Sequence, residues 1–96
     1  MEDLKQLRDE IDEIDKKLVL LFEKRMEAAL KIADYKKQNG IPILNENREK
    51  EVIKKNTLRL KNKTFEHSLE KFLIYIMSLS REEQSKIVGI SSFKEE

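Results

Sequence analysis

The sequence predicts an all-α protein: three helices, one long and two shorter, that join a second copy in an intertwined antiparallel homodimeric helical bundle. Three observations carry the prediction. Apolar residues recur every three or four positions along most of the chain. Breakers are scarce, with two glycines and one proline in 96 residues. The first amphipathic stretch is also too long for the other two to cover.

The first helix is expected over about residues 3–38. Asp3 stands where an N-cap is needed, and Gln6 three residues on completes a capping box. Leu4, Leu7, Ile11, Ile14, Leu18, Leu21, Arg25, Ala28, Ile32 and Tyr35 then follow at alternating steps of three and four. That is a coiled-coil-like seam about five heptads long. It stops in QNGIPIL, where Gly40 suits a helix end and Pro42 forbids continuation. A second helix is expected over about 46–60, capped by Asn45 and carrying Arg48, Glu49, Val52 and Ile53. The polar link KNKT leads to a third helix over about 64–87, with Thr64 as its cap and residues 88–96 as a frayed tail. Residues 1–96 read as a single domain.

A helix of about 36 residues is roughly 54 Å long. Helices of about 15 and 23 residues cover only part of its seam, so the remaining apolar length calls for another chain. An antiparallel pairing of two long helices is the economical solution. An ordinary coiled coil is the plainer alternative.

Composition removes several classes. Charged residues make up 41% and hydrophobic ones 39%, and with helical spacing that balance means long helices rather than disorder. Net charge is +1, which offers no basic field for nucleic acid. No apolar run approaches the roughly 18 residues of a membrane span, and the acidic N-terminus is unlike a signal peptide. With no cysteine and one histidine, disulfides, a thiol nucleophile and a histidine-rich metal site are all excluded. A cytoplasmic protein is expected, with no metal.

The apolar stripe of the third helix holds Phe65, Leu69, Phe72, Leu73, Ile76 and Met77, and its next two places are Ser80 and Gln84. Polar groups on an inward face are costly unless paired. Similar interruptions occur elsewhere: Arg25 and Lys36 on the first helix, eleven residues and about 20° apart, and Arg48 with Glu49 on the second. A single seam arginine would be read as snorkelling to solvent. Six such groups on three helices point to an internal polar pocket, and its three cations call for an anionic ligand. No nucleophile is placed beside a base. His67 reads as a surface residue, and no glycine-rich phosphate loop exists. What remains is a set of donors suited to positioning and charge stabilisation without a covalent step.

These residues resemble the all-helical (type II) chorismate mutases. The likeness runs from Leu4 to about Ile87 through LRDEIDEIDKKLVLLFEKR, IADYK, IPILNENRE and IMSLSREEQ. Asn45 stands where the family commonly has aspartate, and the link between the second and third helices is about one residue short. The resemblance implies rearrangement of chorismate to prephenate in phenylalanine and tyrosine biosynthesis, part of the shikimate pathway. It implies no cofactor. Arg25 and Arg48, with Arg8 from the partner chain, would bind the two carboxylates of the dianion, with Ser80 and Asn45 as further substrate-binding residues. Lys36 and Gln84 would donate to the ether oxygen, and Glu49 would accept from the ring hydroxyl and help orient Lys36. Arg8 and Arg25 are about 25 Å and 100° apart on one helix, so a shared site across a homodimer is the consistent geometry. Two other readings remain: an isochorismate pyruvate lyase of the same fold, and a non-enzymatic helical dimerisation module.

Overall fold

The computed structural model describes the backbone of residues 3–95 and the side chains of residues 3–89. The order is α1 (Leu4–Gln38), α2 (Glu46–Thr57), a short 3₁₀ turn (Lys63–Phe65) and α3 (Glu66–Glu95), with no strand among the described residues. No described helix is long and apolar enough to cross a membrane.

Local chemistry sets the ends of α1. At its start, the Gln6 amide N–H donates to Asp3 Oδ1 at 2.8 Å, and the Asp3 N–H donates to Gln6 Oε1 at 3.1 Å. The expected capping box is therefore formed. At the other end Gly40 adopts φ 64°. The Ile41 N–H reaches the Lys36 carbonyl at 2.8 Å and the Gly40 N–H reaches that of Lys37 at 3.4 Å. This pair of bonds is a Schellman motif, which turns the chain sharply and satisfies terminal carbonyls.

Three boundaries differ from the sequence expectation. Helix α2 stops at Thr57 rather than near residue 60. From there Arg59 and Leu60 donate three residues back, to Asn56 and Thr57. The Lys63 ammonium also takes the Thr57 and Leu58 carbonyls at 2.9 and 3.4 Å, closing the helix end. Asn62, not Thr64, caps the entry to α3: its Oδ1 accepts from the Thr64 N–H at 3.1 Å and the Thr64 hydroxyl at 2.6 Å. Asparagine outranks threonine at such caps. Finally, α3 runs to Glu95 instead of fraying after Ile87. Residues 88–95 contain no proline, and the one glycine, Gly89, costs only about 1 kcal/mol relative to alanine in a helix. The last residue of the expected tail, Glu96, lies outside the described residues.

Helix α3 runs beside the second half of α1 in the same direction, so Ser80 meets Arg25 and Gln84 meets Ala29. Helix α2 packs on α3 and not on α1. The core is small: Val52, Leu73, Ile76 and Met77, flanked by Met26, Ile53 and Leu69. On α1 the buried residues are Ala29 and Ala33, where the missing bulk lets α3 approach closely. This contact lies roughly a quarter turn away from the heptad seam. The seam itself stays open: Leu7, Ile11, Ile14, Leu18 and Leu21 are between 42% and 62% exposed. The shape is correspondingly long, 63 × 26 × 15 Å with a radius of gyration of 17.3 Å. A compact domain of this size would have a radius near 12–13 Å (roughly).

The Gly40 turn offers a clean stability test. A Cβ there would meet nothing within 4 Å, so only the left-handed backbone opposes it. Gly40→Ala is expected to cost about 1–2 kcal/mol, and Gly40→Asn less. Urea midpoints of the three proteins check this.

Candidate active site

The Schellman turn does more than end α1. It folds the loop back so that the Ile43 carbonyl lies 2.7 Å from Lys36 Nζ, and the ammonium is tethered at the cleft between α1 and α2. The next loop residue in the cleft wall is Asn45, whose Oδ1 accepts the Arg48 backbone N–H at 3.0 Å. That cap starts α2 with Arg48 and Glu49 in its first turn. Glu49 is there as an acid suited to the positive end of a helix.

From the opposite wall, α3 contributes Ser80 and Gln84, both buried. The Ser80 hydroxyl donates to the Ile76 carbonyl at 2.9 Å, so its lone pairs are left to accept Arg25 Nη1 at 3.0 Å. Gln84 Nε2 donates to the Ala29 carbonyl at 2.9 Å. The polar end of the α3 stripe is therefore neither frayed nor unpaired. It is the place where α3 and α1 meet through hydrogen bonds rather than methyl groups.

The result is a cleft of about 290 Å³ bounded by all three helices. Arg25, Lys36, Asn45, Arg48, Glu49, Ser80 and Gln84 all line it, over an apolar floor of Ile32, Val52 and Met77. Asn45 and Arg48 are the exposed members of this set, and Arg48 Nη1 bonds Glu51 at 2.7 Å. Arg8 does not line this cleft; it is exposed on the first part of α1.

Sequence reasoning missed one residue, Arg81. Its Nη1 pairs with Glu49 Oε2 across the cleft wall. The resemblance implies that Glu49 helps orient Lys36; in the structure Lys36 is held by the Ile43 carbonyl and Glu49 by Arg81. The physical reason is that α3, not α1, packs against α2, so the nearest cation to Glu49 comes from α3. Arg81 lies three residues before Gln84, a spacing that shares a helix face, and this was the available signal. It was hidden in SREEQ, which reads as a solvated charge run.

Four cations and one carboxylate line the cleft, Arg25, Lys36, Arg48 and Arg81 against Glu49, an excess of three positive charges. No group of three or more histidines, cysteines, aspartates or glutamates placed to hold a metal occurs among the described residues. Fixed donors around an apolar floor suit a small organic polyanion.

Fold and site together define a small all-helical protein with a cation-lined, anion-accepting cleft. The family model for chorismate mutase type II matches residues 7–85, and the chain belongs to that family. It is 47% identical over 49 residues to the T-protein of Haemophilus influenzae, covering 51% of this chain and 13% of that protein. To the bifunctional chorismate mutase/prephenate dehydratase of Aquifex aeolicus it is 38% identical over 65 residues, 68% of this chain and 18% of that one. To the chorismate mutase of Methanocaldococcus jannaschii it is 44% identical over 50 residues, 52% of this chain and 50% of that one. The alignments thus span half or less of each of these relatives. No solved structure gives a significant match.

Proposed function

We propose that this protein is a chorismate mutase that rearranges chorismate to prephenate, acting as a homodimer with two shared sites in cytoplasmic phenylalanine and tyrosine biosynthesis. The observation that carries the reading is the convergence in one cleft of Arg25, Lys36, Asn45, Arg48, Glu49, Ser80 and Gln84 from three helices. Family membership and the names of the Aquifex and Methanocaldococcus relatives support the same activity.

The reaction breaks one carbon–oxygen bond and forms one carbon–carbon bond within a single molecule. No group or proton is transferred, so the residues have two tasks: holding a reactive conformer and stabilising charge on the departing ether oxygen. Arg25 and Arg48 take the carboxylates, because a planar guanidinium meets a carboxylate with two parallel bonds. Ser80 fixes Arg25 for this work, and Asn45 fixes the backbone from which Arg48 projects. Lys36 and Gln84 donate to the ether oxygen. Each has capacity left: an ammonium has three N–H donors and an amide two, and one of each is engaged, with Ile43 and Ala29. The tethers aim these groups without exhausting them. Glu49 accepts from the ring hydroxyl.

Two further observations support a homodimer. The seam of α1 is exposed along its first half. An apolar groove of about 470 Å³, walled by Leu18, Leu21, Phe22, Phe72, Leu73 and Ile76, opens beside it and includes Arg25. An antiparallel second copy laid on this face would cover the seam and bring its own Arg8 toward Arg25. Each site then holds two carboxylate-binding arginines from one chain and one from the other.

Incubating the pure protein with chorismate should yield prephenate. Pyruvate release from isochorismate, with chorismate untouched, would support the lyase reading instead, and inertness toward both would support the interaction module. Within the mutase reading, Lys36→Ala should lower kcat by two to four powers of ten, about 3–5 kcal/mol, with a much smaller change in KM. An unchanged kcat with a raised KM would make Lys36 only a carboxylate contact. Gln84→Glu should be crippled near neutrality, where the ionised replacement repels both the developing charge and the Ala29 carbonyl. It should recover as pH falls and the protonated acid can donate again. The check is kcat against pH for both proteins, with helicity followed throughout.

A further inference from the structure

Four ion pairs occur among the described side chains, and three of them are exposed i,i+3 pairs within a single helix. The fourth, Arg81 with Glu49, is the one that crosses between helices, and it is only 33% and 27% exposed. It ties the first turn of α2 to α3 at the cleft wall. The residues around it make that location consequential. Glu49 follows Arg48 directly, and Lys36 lines the same cleft. A carboxylate free to choose a partner there shares the cleft with four cations, Arg81, Arg48, Lys36 and Arg25, and the last three belong to the machinery proposed for the substrate.

We infer that Arg81 is a positioning residue: by engaging Glu49 it keeps that carboxylate off Lys36 and Arg48, leaving both cations open to the anionic substrate and Glu49 aimed at the ring hydroxyl. The inference rests on the chorismate mutase reading. It follows from competition among charges in a partly desolvated space. Opposite charges in such a cleft attract more strongly than in bulk water, so an unheld Glu49 turns to the next cation within reach. Lys36 has two N–H donors not engaged by Ile43 and a flexible stem, which makes it the ready recipient. Capture of Lys36 would draw the ammonium away from the breaking bond. Arg81 prevents this by offering Glu49 a guanidinium from α3.

Arg81 has a second effect through the same bond. Glu49 is in the first turn of α2, so pinning its side chain to α3 also fixes the azimuth from which Arg48 projects. The Arg48 backbone is already held by Asn45, and its head is engaged by Glu51 with one of its donors. The pair therefore completes a frame in which each cleft cation has a defined protein partner before substrate arrives: Arg25 with Ser80, Lys36 with Ile43, Arg48 with Glu51 and Arg81 with Glu49. Of these partners Glu49 is the one charged acceptor lining the cleft itself, so its misplacement harms the site most.

The test compares wild type, Arg81→Ala, Arg81→Lys, Glu49→Gln and the Arg81→Ala/Glu49→Gln double variant, using chorismate as substrate and following thermal unfolding in parallel. Arg81→Ala should lower kcat roughly ten- to a hundredfold, as misplacement of reacting groups does. Arg81→Lys should restore a large part of that loss. The double variant should be no slower than Glu49→Gln alone, because with the carboxylate neutralised there is nothing left to misdirect. Wild-type kinetics in Arg81→Ala, or losses that multiply in the double variant, would overturn the inference. So would a fall in activity matched by a fall in thermal midpoint that Arg81→Lys does not reverse, since that is the pattern of a structural strut. Failure of the wild type itself to convert chorismate would instead remove the functional reading, a result distinguishable from all of these.

Discussion

The length of α1 governs the rest of the molecule. Its 35 residues extend well past what α3 and the twelve-residue α2 cover, and its first half presents leucines and isoleucines to the surroundings. Apolar area of that kind is stabilising only when removed from water, at about 25 cal/mol per Å². The intrachain core, four buried side chains and a few partly buried ones, is slight for a chain of this size. Burial by a second copy is the proposed remedy, and it has a functional corollary. A site completed across that contact cannot exist in an isolated chain, so folding, assembly and activity become one equilibrium.

Within the chain, the same economy appears at finer scale. The contact between α1 and α3 changes character along its length. Near Met26 and Met77 it is apolar packing. Around Ala29 and Ala33 small side chains bring the backbones close enough for Gln84 to reach a main-chain carbonyl. Every described buried polar side-chain atom has a partner. The cleft is thus preformed, with hydrogen bonds that orient donors before a ligand is present. That is the arrangement by which fixed dipoles stabilise developing charge without reorganising at the moment of reaction.

Much of this was legible in the sequence because helices write their inward face at regular spacing, and a polar residue at such a position stands out. Arg25, Lys36, Arg48, Glu49, Ser80 and Gln84 could be placed together for that reason, and Asn45 and Gly40 because capping chemistry is local. Arg81 could not be placed this way. It sits one step round the helix from Ser80, inside a run of charges, and only the packing of α2 on α3 reveals Glu49 as its partner. The helix ends that were missed share a cause. Lys63 closing α2 from six residues away is a tertiary choice among several adequate local options, and spacing alone does not decide it. The heptad seam was correctly spaced, but α3 meets α1 mainly on the Ala29 and Ala33 face, a neighbouring face that the seam spacing does not single out, and the first half of the seam stays exposed.

The central claim is that a complete site needs two copies of this chain, and mixing inactive variants tests it most directly. Arg8→Ala and Arg25→Ala proteins, each inactive alone, are mixed in equal amounts, subunit exchange is verified, and conversion of chorismate is measured. If Arg8 serves the neighbouring cleft, the rate should approach about a quarter of wild type, because half the dimers are mixed and each mixed dimer owns one intact site of two. No recovery after complete exchange would mean that Arg8 serves its own chain or no site at all, and the shared-site architecture would be wrong.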